Sequence, residues 1–300
     1  MRLDADKDSR SFLEELEADS SLLEPGQLRR RIDVLDLLDA TFGGTDFDGF
    51  GRDSGEAWTH HRAKAMRARL EAVNAELYQS LRLAIRRGIE PSGLFRWIQT
   101  AESSDEPVDP APGLGYDFRD EFVSGILQLQ EPSRAEASRG HEMVFYQPTP
   151  VRHILHFIAA SGLCEADVLV DLGAGLGHVV LLASMLTGAR GVGIEVEAAY
   201  VRSARECALS LGLSRATFLQ QDAREADLSG GSVFYLYSPF TGTILADVLE
   251  RLRREGADRR IKVCTLGPCT SVVAKEPWLK ASAPWDAERI TLFESQTPYP

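Results

Sequence analysis

The sequence is poor in several things, and each shortage removes a class of function. Its 300 residues hold four cysteines, Cys164, Cys207, Cys264 and Cys269, and no pair has the C-x-x-C spacing of a metal or redox site. They read as reduced, mostly buried thiols rather than zinc ligands or a disulfide framework. His153 and His156 lie three apart on an expected helix, but no third ligand accompanies them, so no metal site is expected. No run of about eighteen apolar residues exists, which excludes a membrane-spanning helix. The N-terminus is acidic and unlike a signal peptide, so a cytoplasmic location is expected. Basic charge is also scarce: 33 Lys and Arg against 45 Asp and Glu leave a net charge of −12. Such a chain offers no electrostatic footprint for a phosphate backbone, so nucleic acid is not an expected partner. Internal repeats are absent. What remains, 44% hydrophobic and 26% charged residues, suits an ordinary soluble enzyme with one large domain and a smaller one.

The richest stretch is Val168-Leu-Val-Asp-Leu-Gly-Ala-Gly-Leu-Gly177. An apolar run fits a buried strand and ends at Asp171. Gly173, Gly175 and Gly177 follow at alternate positions, with Ala174 between the first two, and then an apolar helical segment covers residues 179–186. Strand, glycine turn and helix make the ligand crevice of a doubly wound sheet. The spacing is G-x-G-x-G, whereas the dinucleotide fingerprint is G-x-G-x-x-G. An acid just before the glycines repels phosphate and suits a cationic ligand. NAD is therefore not an expected ligand.

Three further strands are expected to end at the same edge. Residues 190–195 finish in Glu195, residues 216–222 in Gln221 and Asp222, and residues 232–240 stop at Pro239. This series resembles the class I S-adenosylmethionine-dependent methyltransferases. The resemblance implies an α/β fold, a Rossmann-like doubly wound sheet of the seven-stranded methyltransferase type. It also implies S-adenosyl-L-methionine as cofactor. Its methionine part would lie in the glycine loop, its ribose on Glu195 and its adenine amino group on Asp222, with Gln221 as a neighbour. Ahead of the first strand, Phe145-Tyr-Gln-Pro-Thr-Pro150 carries a Y-x-P-T-P element. Together with D-L-G-x-G-x-G it resembles the branch related to Dot1-like lysine methyltransferases, over about residues 141–295. That branch often places asparagine-rich residues after the fourth strand, where this chain has Tyr237-Ser-Pro-Phe-Thr241. The departure turns the expectation from a protein lysine to a small-molecule N- or O-acceptor. A Dot1-like protein lysine methyltransferase, release of methylthioadenosine by cyclisation or aminocarboxypropyl transfer, and a non-catalytic binding module are the rival readings.

Chemistry is expected outside the strand ends, near Tyr146, Thr149, Tyr237, Ser238, Pro239 and Phe240. Tyr146, Tyr237, Ser238 and Phe240 are the catalytic candidates. Aromatic faces at Tyr146, Tyr237 or Phe240 would stabilise a sulfonium. Gln147 and Thr149 offer hydrogen bonds to the methionine part, and Tyr146 and Tyr237 also count among the cofactor-binding candidates. His178, after the third glycine, either touches the cofactor's carboxylate end or faces solvent. No general base stands out, which leaves a tyrosinate or water.

The first 135 residues read as helical. Helices are expected over residues 11–23 and 27–41, joined at Pro25-Gly26. A glycine-rich loop (42–54), a long amphipathic helix (56–87) and a short helix (91–100) follow. A proline-rich linker (102–115) then leads to an amphipathic helix over 117–129. Residues 1–135 are expected to form a lid over the crevice or a dimerisation surface, making a homodimer the alternative, and residues 136–300 the cofactor domain. In that domain six strands are legible, the last two at 260–266 and 288–294.

Overall fold

The computed structural model describes residues 2–42, 54–89, 115–130 and 146–296, the side chains of 2–8 and 54–57 excepted. Most of the glycine-rich loop, the short helix of 91–100 and nearly all of the 102–115 linker lie outside the described residues. The chain divides into two units, Met1–Arg82 and Leu83–Pro300.

The first unit is helical. It contains α1 (Arg2–Ala18), α2 (Leu28–Phe42) and most of α3 (Ser54–Arg86). Leu13 and Leu16 of α1, Val34 and Leu38 of α2, and Met66 and Leu70 of α3 close a shared apolar core. Their spacings of three and four residues place each set on one helix face. Arg31 is fully buried beside this core. Its guanidinium donates to Asn74 Oδ1 (2.6 Å) and to the carbonyls of Leu22 (2.8 Å) and Glu24 (2.5 Å). Burial pulls its pKa down from the ordinary arginine value.

The second unit is built on a seven-stranded sheet of order β3-β2-β1-β4-β5-β7-β6. The strands are β1 (Val168–Leu172), β2 (Arg190–Glu195), β3 (Ala216–Gln220), β4 (Val233–Tyr237), β5 (Lys262–Leu266), β6 (Leu279–Ala281) and β7 (Thr291–Ser295). The first five are parallel, and β7 runs antiparallel between β5 and β6. The order β3-β2-β1-β4-β5 is that of a doubly wound nucleotide-binding sheet. β6, with three residues, is the strand that the sequence did not reveal. Helices α6 (His178–Thr187), α7 (Ala198–Leu211) and α8 (Gly242–Asp258) provide crossovers. α8 buries Leu245, Val248, Leu249 and Leu252, a stripe at helical spacing, against Phe234 and Leu236 of β4. α6 is apolar nearly all round and buries seven consecutive residues, Val179–Met185.

The chain before the sheet is bonded to this unit. α4 (Phe118–Leu127) opens on a capping box between Asp117 and Asp120. The second oxygen of Asp120 accepts from the Val151 amide at 2.8 Å, so one carboxylate also caps α5 (Val151–Ser161). At the other end Cys207 Sγ donates to the Leu127 carbonyl and the Gln130 amide to Ser203 Oγ, both on α7. Helix α4, ahead of the boundary expected at residue 135, is thus held by α5 and α7.

Among the described residues the outermost strands are β3 and β6. On β3, Arg205 Nε and Nη2 both donate to the Phe218 carbonyl, at 2.9 and 2.7 Å. On β6 the central residue is the exposed Lys280.

Candidate active site

The strand order reverses beside β1, since β2 and β3 lie on one side of it and β4 on the other. Ligands bind in the crevice beyond the carboxyl ends of the strands at such a point. A cavity of about 260 Å³ opens there. Tyr146, Gln147, Thr149, Asp171, Gly173 and Ala174 line it, and so do His178, Glu195, Gln221, Asp222, Tyr237, Ser238 and Phe240. Of the residues expected at the site, only Gly175 and Gly177 are not in its wall.

Those two glycines have packing reasons. Gly175 has φ +52°, and a Cβ there would meet the Tyr146 ring at 2.0 Å. Gly173, at φ +87°, abuts the Pro239 ring in the same way, at 2.2 Å. Any other residue at either position both strains the backbone and pushes out a wall of the cavity. Gly177 abuts the Phe218 ring of β3.

Asp171 ends up almost fully buried, 3% exposed, on β1. Its carboxylate accepts no hydrogen bond among the described residues, and the residue lines the cavity. Burial, and then the neighbouring Glu195, push its pKa up to about 8. Glu195 differs. Its Oε2 accepts from the Gly175 amide at 2.8 Å, and its Oε1 from the amides of Val196 and Glu197 at 2.8 and 2.9 Å. Burial raises its pKa, and the three amides pull it back. It therefore braces the glycine loop while keeping lone-pair capacity on the cavity side. Asp222 is tied into its own turn: both oxygens meet the Arg224 side chain, and Oδ1 also takes the Arg224 amide. That pairing holds its pKa below the usual carboxylate value. Gln221 donates from Nε2 to the Glu225 carbonyl at 3.2 Å.

Tyr146 lies across the glycine loop. Its hydroxyl is 3.2 Å from His178 Nδ1, and its ring centroid is 4.9 Å from that of Tyr200. Burial lowers the His178 pKa to about 4, so this imidazole is neutral at ordinary pH. On β4, Tyr235 and Tyr237 are two apart and line the same cavity, while Leu236 between them enters the core on the opposite face. The Tyr235 hydroxyl meets Thr149 Oγ1 at 3.3 Å. Burial, with Tyr116 nearby, pushes the Tyr237 pKa up to about 12. Tyr237 thus keeps its proton, and can donate, at neutral pH.

Ser238 and Phe240 line the cavity and also hold its wall together. Ser238 Oγ donates to the Leu266 carbonyl at 3.2 Å and accepts from the Cys269 amide at 2.9 Å, fastening the turn after β4 to the turn after β5. Phe240 is 6% exposed and belongs to the core packed under α8. Sequence reasoning missed Tyr200, Ile244 and Pro268 in the cavity wall. Tyr200 and Ile244 sit in the first turns of the helices after β2 and β4, and first turns at the carboxyl edge face this crevice. That position was the available signal. Among the described residues no group of three potential metal ligands occurs.

No family model and no curated protein matches the sequence. Solved structures do. An RNA methyltransferase from Salinibacter ruber, in complex with S-adenosyl-L-homocysteine, is 28% identical over 51% of this chain and 94% of its own, with a TM-score of 0.41. A precorrin-6y C5,15-methyltransferase from Geobacter metallireducens is 16% identical over 56% of this chain and 100% of its own, with a TM-score of 0.40. A geranyl diphosphate C-methyltransferase from Streptomyces coelicolor A3(2) is 18% identical over 39% of this chain and 44% of its own, with a TM-score of 0.33.

Proposed function

We propose that the chain is an S-adenosylmethionine-dependent methyltransferase acting on the N or O atom of a small molecule. One observation carries the reading: the buried Asp171 carboxylate has no hydrogen-bond donor among the described residues and faces an open cavity beside Glu195. Two acids held this close call for a cationic ligand, whose charge offsets their desolvation. The glycine loop provides backbone within reach of that ligand, and the acids at the ends of β2 and β3 provide acceptors for its hydroxyl and amino groups. S-adenosylmethionine fits this donor and acceptor set, and when bound it supplies an electrophilic methyl carbon with its own leaving group. The residues of the chain have a positioning task. Tyr146 and Tyr237 offer aromatic faces to a sulfonium. Asp171 and Glu195 hold the polar ends, and the β4 side of the cavity aligns the acceptor. The turn Tyr237-Ser-Pro-Phe240, with a wall of rings and no asparagine, favours a small acceptor over a protein lysine.

Calorimetry with S-adenosylmethionine and with S-adenosylhomocysteine tests the reading. Saturable binding of both is expected, and Asp171→Asn should weaken the sulfonium compound more than the neutral thioether. Absence of binding by either compound sinks the proposal. Mass spectrometry of the nucleoside after turnover separates the bond broken: S-adenosylhomocysteine reports methyl transfer, methylthioadenosine the cleavage of another arm.

A further inference from the structure

Charge is unevenly spread around the cavity. Asp171, Glu195, Glu197 and Asp222 stand at or just beyond the ends of β1, β2 and β3. The other half is walled by Gln147, Pro148, Tyr237, Phe240, Ile244 and Pro268, and no Lys, Arg, Asp or Glu occurs there among the described lining residues. An ion entering that half loses its hydration and meets no counter-ion.

The hydroxyls of the uncharged half are nearly all engaged. Thr149 and Tyr235 meet each other, and Ser238 is turned toward Leu266 and Cys269. The exception is Tyr237, whose hydroxyl is buried and has no hydrogen-bond partner among the described residues. A buried donor left unmade is costly, and such groups in native proteins call for a partner. Tyr116 stands beside it at the rim, about half exposed (49%), with its own hydroxyl on the Pro148 carbonyl at 2.9 Å.

We propose that this half of the cavity takes an uncharged, largely apolar acceptor molecule whose oxygen or ring nitrogen accepts a hydrogen bond from Tyr237, and that it rejects phosphorylated and cationic acceptors. The proposal rests on the reading that the acidic half holds the cofactor. Tyr237 is the residue that selects for a hydrogen-bond acceptor.

The test uses the full chain saturated with S-adenosylhomocysteine and four probes that share a tolyl ring: para-cresol, toluene, para-cresyl phosphate and para-methylbenzylamine. Titration at neutral pH should show para-cresol binding more than about tenfold tighter than the phosphate or the ammonium probe. Tyr237→Phe should weaken para-cresol by about three- to tenfold and leave toluene unchanged, because only the hydroxyl is removed. Equal or tighter binding of either charged probe, loss of toluene together with para-cresol, an unaltered para-cresol affinity in Tyr237→Phe, or no binding by any probe overturns the proposal. Failure of S-adenosylhomocysteine itself to bind is a separate result, and it sinks the cofactor reading as well.

Discussion

Asp171 holds a conflict between burial and charge, and that conflict is measurable. In the unfolded chain its carboxyl ionises near the ordinary 3.8, while in the folded chain burial and Glu195 delay ionisation to about 8. The folded state therefore keeps the proton longer. Stability falls as pH rises between those two values and levels off above the higher one. Asp171→Asn removes the ionisable group and should stabilise the protein without ligand by about 1–3 kcal/mol at pH 8, or several degrees in Tm. Thermal scans at about pH 4 and pH 8 check this; a gain that does not shrink at the lower pH contradicts it. The same proton governs binding. If the ionised form receives the cation, S-adenosylmethionine affinity should rise by about tenfold per pH unit up to about pH 8, with proton release visible by calorimetry in two buffers. A flat profile assigns the cation to another group. At this scale the sequence showed that Asp171 and Glu195 lie at the carboxyl ends of their strands, Asp171 one residue short of the last, because strand, glycine and acid are neighbours in the chain. It did not show that Glu195 accepts from Gly175, or that Tyr200 stacks near Tyr146. Those contacts arise only once β2 is laid beside β1.

At the scale of elements, the turn after β4 is the best-defined device. Ser238 has φ +40°, a left-handed conformation that a non-glycine residue adopts at a cost of about 1 kcal/mol or more. Its two hydrogen bonds to the β5 turn offset that cost. Ser238→Ala loses both bonds, keeps the strain and leaves the buried Cys269 amide unpaired, so a loss of about 1–3 kcal/mol is expected. Ser238→Gly loses the same bonds but relaxes the backbone, so denaturant titration should find it the milder of the two. The reverse ranking would falsify the strain argument. Asp120 gives a second case, since it caps α4 and α5 at once. Asp120→Ala should cost about 1–2 kcal/mol, and hydrogen exchange should show α4 opening before the sheet; uniform exchange would mean that other contacts hold α4. Helices and the six longer strands were legible because each carries its own period and terminators, such as Asp117 before α4 and Gly162 after α5. β6 was not. Three residues with a central lysine have no period to read, and the strand exists only because β7 offers an edge.

For the whole molecule, ligand choice follows from where negative charge collects. Acids stand at or just beyond the ends of three strands around the cavity, and the described cavity lining holds no Lys or Arg. A pyrophosphate there meets repulsion without compensation. Calorimetry with NAD should show no saturable binding at micromolar concentrations, and a Kd in that range would overturn the charge argument. The doubly wound architecture was legible in the order of motifs. The division of the chain near Arg82 and Leu83 was not, because α3 runs through it as one uninterrupted helix.

The two outer strands carry a last consequence. A sheet border is a row of free amides and carbonyls on which a foreign strand can be templated. Here a guanidinium from Arg205 sits on the β3 carbonyl that such a visitor would need, and β6 offers three residues with a lysine in the middle. Neither border is a good seed for cross-chain growth. A concentrated solution of this protein should therefore resist fibril formation, and Arg205→Ala together with Lys280→Val should be the pair that erodes that resistance.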